Sequence, residues 1–186
     1  MPALRGTDAA GGAAPPVWIV TGLPGSGKST TARALARRLP RAAHIDGDLL
    51  QAMVAGGAVG PGEAPEAESH AQIALNLRHQ CLLARSFACA GFVPVIDYVV
   101  VARQMLDLYR RRLRRHKLRL VVLSPSPETV ARRRAERGET GPDRWADLGA
   151  WMKADLGADG LWIDNDGIGV AELVSRILAR EAEAAF

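Results

Sequence analysis

Apolar positions recur along this chain in two rhythms. Short unbroken runs, Val17 to Thr21 (VWIVT), Ala42 to Asp46, Phe92 to Ile96, Leu118 to Leu123 (LRLVVL) and Leu161 to Ile163, read as strands buried on both faces. Between them the apolar residues fall at helical spacing. Lys28 to Leu39 is one such segment, and Ile73, Leu77, Cys81, Ala84 and Ala88 mark a long helix from Glu66 to Ala90, stopped by Gly91. Met105, Leu108, Tyr109 and Leu113 mark another, and further helices are expected from Glu128 to Arg137, Trp145 to Leu156 and Val170 to Ala182. Leu49, Leu50 and Met53 place one apolar face on a helix of about two turns. Four Gly and two Pro within Gly56 to Pro65 predict a loop.

Strands alternating with helices predict an α/β fold, a three-layer sandwich around a mostly parallel five-stranded sheet that binds ligands at the carboxyl ends of its strands. A length of 186 residues fits one domain, taken as 17–186 behind a flexible arm, 1–16, rich in small residues, Gly and Pro.

The first strand runs into GLPGSGKS, Gly22 to Ser29, and a helix follows, which is the setting that makes the pattern G-x-x-x-x-G-K-[ST] specific. Gly22, Leu23, Pro24, Gly25, Ser26 and Gly27 form the expected triphosphate-binding loop, whose glycines let consecutive backbone N–H groups converge on phosphate oxygens, helped by the positive end of the following helix. Lys28 should reach the β- and γ-phosphates, and the Ser29 hydroxyl, with Thr30 beside it, is the expected Mg²⁺ ligand.

Asp46 and Asp48, in HIDGD, follow the second strand and should emerge at the same sheet edge. Either can contact an acceptor, and Asp48 can take its hydroxyl proton or simply cap the next helix. Asp97 ends the third strand, where a carboxylate either holds the water shell of Mg²⁺, contacts the acceptor or makes a turn. Arg133 and Arg137 lie four residues apart on one helix face, in a stretch, about 128–145, with the composition of a mobile lid, and can approach phosphates together or remain solvated. Asp164 and Asn165 after the last strand fit a plain turn as well as a nucleotide contact.

Composition trims the alternatives. Apolar residues at 48% and charged residues at 24% are ordinary for a globular protein. The arm lacks the apolar run of a signal peptide and no stretch is long enough to span a bilayer, so a soluble, cytoplasmic protein without membrane attachment is expected. Much of the net charge of +4 comes from Arg110 to Arg119, where seven of ten residues are Arg or Lys. Without interleaved aromatic residues this run reads as a solvated face rather than a nucleic-acid surface. Cys81 and Cys89 are expected as free, buried small residues, and the four histidines lack metal-ligand spacing.

With GLPGSGKST and IDGD in hand, and the layout AGFVPVID … LRLVVLSPSPETVARRRAERG, the chain resembles the small P-loop kinases that include chloramphenicol phosphotransferase, gluconate kinase and adenylylsulfate kinase. The resemblance covers roughly Val17 to Arg180 and implies a parallel core with a helical lid. It also implies triphosphate binding by Gly22 to Thr30, Asp48 as the acceptor-activating carboxylate, Arg133 and Arg137 as lid residues, and Arg78 facing the acceptor pocket. The expected activity is transfer of the γ-phosphate of ATP, with Mg²⁺, to a hydroxyl of a small molecule such as an antibiotic or secondary metabolite. The alternatives are a nucleotide-switch ATPase with a protein partner and a polynucleotide-end kinase; the oligomeric state is left open.

Overall fold

The structure is a computed structural model that describes residues 14–136, 138 and 146–186. Strands β1 (Val17–Gly22), β2 (Ala42–Asp46), β3 (Val93–Asp97), β4 (Leu118–Leu123) and β5 (Leu161–Ile163) form one sheet in the order β2-β3-β1-β4-β5, and every pairing is parallel. The helices are α1 (Lys28–Arg38), α2 (Gly47–Gln51), α3 (Glu66–Cys89), α4 (Arg103–Arg112), α5 (Pro127–Glu136), α6 (Ala146–Leu156) and α7 (Val170–Ala179), with a closing 3₁₀ turn at Glu181–Ala184.

The unbroken apolar runs are explained by two cores, one on each face of the sheet. Along β1 successive side chains point to opposite faces. Val17 and Ile19 join Ile45, Leu77, Ile96, Leu106 and Tyr109 on the side of α3 and α4. Trp18 and Val20 join Leu35, Val95, Leu173 and Ile177 on the side of α1 and α7. A polar residue on β1 would therefore be buried whichever way it pointed.

Three expectations are corrected. The helix after β2 is α2, five residues long, and its supposed apolar face is open, with Leu49 64% and Met53 73% exposed and only Leu50 packed on the core. Cys89 is exposed, because it closes α3 beyond the last core position, Ala88; Cys81 is buried as expected, and both are free. The final helix stops at Ala179, three residues early, and the chain tightens into the 3₁₀ turn. Arg137 and residues 139–145, the centre of the expected lid, lie outside the described residues.

Candidate active site

Beyond β1 the chain must reverse within a few residues to start α1. Gly25 and Gly27 do this with φ of 92° and 93°, a left-handed conformation that residues with a Cβ rarely adopt. Gly27 is the N-cap of α1 and offers no side chain to the helix, and the first turn holds no acid. The free N–H groups at this helix start and its positive dipole end are thus left for an anion. Lys28 is the first residue of α1 and is buried; its Nζ donates to Oδ2 of Asp48 at 3.3 Å.

Asp48 is 59% exposed at its side chain and stands at the start of α2. The capping role falls to Asp46, whose Oδ1 accepts from the N–H groups of Asp48 and Leu49, both at 3.1 Å. That leaves the Asp48 carboxylate free of cap duty. Asp46, placed among the candidate acceptor contacts, is occupied by those two bonds.

Gly47 explains the spelling IDGD. A Cβ there would lie 2.5 Å from Cδ2 of Tyr98 and 2.7 Å from Nε2 of Gln80, so only glycine lets α2 pass. A buried polar network on α3 then fixes α2. Asn76 Nδ2 donates to the Gly47 carbonyl at 2.9 Å and to Gln51 Oε1 at 3.0 Å, Gln80 Nε2 donates to Asn76 Oδ1 at 3.1 Å, and the Tyr109 hydroxyl donates to Gln80 Oε1. One turn earlier Gln72 and Ser69 bind the Gly57 and Gly60 carbonyls, each at 2.7 Å, and so pin the glycine-rich loop. Sequence reading missed these residues, although Gln72, Asn76 and Gln80 carry a signal, buried amides repeating every four residues along one helix face.

Asp97 is 1% exposed, and neither carboxylate oxygen has a hydrogen-bond partner among the described residues; Nε2 of His44 stands 3.6 Å from Oδ2. A buried carboxylate is costly unless a cation or donor answers it. Asp97 pairs in register with Asp46 at the carboxyl edge of the sheet. Ser29 is one residue into α1 and half-buried, and the unpartnered oxygens of Asp97 are of the type that Mg²⁺ favours.

Arg133, on α5, donates from Nη1 to the Ser26 carbonyl at 2.9 Å, with the Gly25 carbonyl and, through Nη2, the Asn165 carbonyl at 3.5 Å. Its guanidinium is thus at the phosphate loop. Asn165, which sequence alone did not separate from a turn residue, is buried and its Nδ2 donates to the same Ser26 carbonyl at 3.0 Å. Asp166 anchors the base of α5 by accepting from the Ser126 N–H at 3.1 Å. The Ser126 hydroxyl above all, then Thr129, the Ser126 backbone and Arg133, hold its carboxyl below the usual range.

Two cavities flank the Lys28–Asp48 pair and the loop. One, about 630 Å³, is bordered by Lys28, Asp48, Val59, Ile73, Tyr98 and Met105 among others, so the glycine-rich loop and α3 both contribute to its wall. Its size and mostly apolar lining suit a small organic molecule. Burial pushes the Tyr98 hydroxyl up from its ordinary range, partly opposed by a hydrogen bond with Asn76 and reinforced by Asp48, so it stays protonated as a donor. The second cavity, about 260 Å³, lies beyond Gly25 and Gly27 between Arg133, Asn165, Ile168 and Leu173. Arg78 reaches neither. It lines a separate groove with Arg85 and Arg112, because five residues from Ile73 is about 140° around the helix.

A family model described as an AAA domain matches residues 17–155, and the chain belongs to that family. Among solved structures, the tunicamycin resistance protein of Deinococcus radiodurans is 19% identical, with 89% of this chain and 95% of that one covered at a TM-score of 0.68. The APS kinase of Mycobacterium tuberculosis, solved with AMPPNP and APS, is 21% identical over 89% and 95% at 0.60. A sugar kinase from Janibacter sp. HTCC2649 is 20% identical over 92% and 99% at 0.63. At such identities the likeness establishes a P-loop kinase-type fold. No curated protein matches the chain.

Proposed function

We propose that this AAA-domain family member transfers the γ-phosphate of ATP to a hydroxyl of a small molecule seated in the 630 Å³ cavity. The observation that carries the reading is the 3.3 Å pair of Lys28 and Asp48, a phosphate-loop lysine and a carboxylate free of cap duty at the mouth of an apolar cavity. The triphosphate lies along the backbone N–H groups of the phosphate loop and the start of α1, with the base and ribose toward the 260 Å³ cavity beside Asn165. Ser29 would hold Mg²⁺ directly and Asp97 through water, the latter supported by its two unpartnered carboxylate oxygens. Bound there, the ion would offset charge on the phosphate oxygens.

Asp48 accepts the proton of the acceptor hydroxyl as that oxygen bonds to the γ-phosphorus, while the bond from phosphorus to the β–γ bridging oxygen breaks and ADP leaves. Lys28 then trades its contact with Asp48 for phosphate oxygens, and Arg133 places a further positive charge beside the loop. Among the described residues, the 17 that line the cavity include three charged side chains, Lys28, Asp48 and Glu63, and the first two belong to the proposed transfer itself. A mostly uncharged acceptor fits such a lining, and an antibiotic or other secondary metabolite is the class proposed. The basic run Arg110 to Arg119 leads into the amino end of β4, at the opposite edge of the sheet, and this weakens the polynucleotide-end reading.

The test is a panel of hydroxyl-bearing metabolites and antibiotics incubated with ATP and Mg²⁺ and read by mass spectrometry. A compound gaining one phosphoryl group supports the proposal. ATP hydrolysis with no phosphorylated product across the panel would favour a nucleotide switch instead.

A further inference from the structure

The basic run divides in three dimensions. Arg110 is neutralised by Asp107 and Asp159 at 3.0 and 2.9 Å, and Arg119 by Glu181 at 3.2 Å. Arg112, Arg114 and Arg115, at the end of α4 and in the turn before β4, instead converge with His116 and with Arg85 of α3 around a hollow of about 190 Å³. Among the described residues none of these four arginines has a carboxylate within ion-pair distance, and no acidic residue lines the hollow. Arg85 and Arg112 also border an adjoining hollow of about 160 Å³, where Arg78 is joined by Leu75 and by Leu82, 59% exposed. The two hollows thus form one groove, wholly basic at one end and partly apolar at the other.

Guanidinium groups gathered around a concavity repel one another, and they match phosphate or sulfate oxygens through paired N–H bonds. The geometry points to a second anion site here: the groove takes a soluble small molecule bearing a phosphate or sulfate monoester, the anion among Arg85, Arg112, Arg114 and Arg115 and its apolar part along Leu75 and Leu82. Each hollow is smaller than a typical drug-sized pocket, which suits one anionic head and one compact apolar group rather than a polymer. Among the described residues no Phe, Tyr or Trp side chain lines the groove to stack a nucleic-acid base. The site is separate from the transferred phosphate: the phosphate loop follows the carboxyl end of β1, whereas residues 112–116 precede the amino end of β4, its parallel neighbour.

The test uses the full chain and 1-naphthyl phosphate, titrated by calorimetry. The expected result is saturable one-to-one binding that persists in Lys28→Ala, weakens by about tenfold or more in Arg85→Gln/Arg112→Gln, and weakens in Leu82→Asp. These three groove positions are exposed, so unchanged melting temperatures establish that the variants fold. Binding lost in Lys28→Ala but kept in the double arginine variant would move the ligand to the phosphate loop and overturn the inference. So would absence of binding at millimolar concentration, or binding only to vesicles of anionic lipid. None of these readouts needs phosphoryl transfer, so failure here and failure of the kinase reading are separate results.

Discussion

Replacing Gly47 by alanine tests how Asp48 is held. The added Cβ would stand 2.5 Å from the Tyr98 ring and 2.7 Å from the Gln80 amide, distances at which something must move. Tyr98 is buried, and Gln80 is locked between Asn76 and Tyr109, so neither can swing aside without breaking buried hydrogen bonds. The strain should therefore push α2 outward. Overpacking of this kind costs roughly 1–3 kcal/mol, which for a chain of this size lowers Tm by roughly 2–12 °C. Because Asp48 is the next residue, its carboxylate moves with α2 away from Lys28. A displacement of about 1 Å at a reacting group can cost about a hundredfold in rate. Scanning fluorimetry and steady-state kinetics should show a lower Tm and kcat, with the affinity for ATP retained because the phosphate loop is untouched. A Gly47→Ala variant with wild-type Tm and kcat would refute the steric argument.

Asn76→Leu should lower Tm, since the Gly47 carbonyl and Gln51 lose their donor, at a cost of about 1–3 kcal/mol, checked by denaturant unfolding. Arg133→Ala should weaken ATP binding and transfer while leaving acceptor affinity unchanged, and equal loss of both affinities in calorimetry would contradict its placement at the loop. At pH 8 iodoacetamide should label Cys89, which is exposed, and spare Cys81, whose thiol burial pushes up to about 12 against the opposing pull of Arg112 and Arg85; peptide mapping reads the result. Asp166 has a depressed folded pKa, so its stabilisation is present above the unfolded carboxylate value and is lost as pH falls through the folded one. Asp166→Asn should accordingly lower Tm at pH 7, with the gap from wild type closing as the pH drops through the acidic range.

The sheet was legible because its strands are buried on both faces, and runs such as VWIVT and LRLVVL have no other stable home. The phosphate loop was legible because its glycines answer a local backbone demand at Gly25 and Gly27. What escaped depended on contacts distant in sequence. Asn76 and Gln80 read as the polar side of a helix until Gly47 and Tyr109 are seen against them. Asn165 fitted a turn as well as a nucleotide contact, and it holds the Ser26 carbonyl 139 residues away. A resemblance put Arg78 on the acceptor, whereas its angular position on α3 places it in a groove with Arg85 and Arg112. The division of labour between Asp46 and Asp48 depends on the short helix between them and the next loop, where spacing alone leaves both residues eligible.

Whether Asp48 activates an acceptor hydroxyl beside Lys28 is decided by Asp48→Asn. With the acceptor found by the metabolite panel, kcat for phosphoryl transfer and ATP affinity are measured in the variant and the wild type. In the variant kcat should fall by about a hundredfold or more with ATP affinity kept. Transfer at the wild-type rate would contradict this role and leave Asp48 as no more than an ion-pair partner of Lys28.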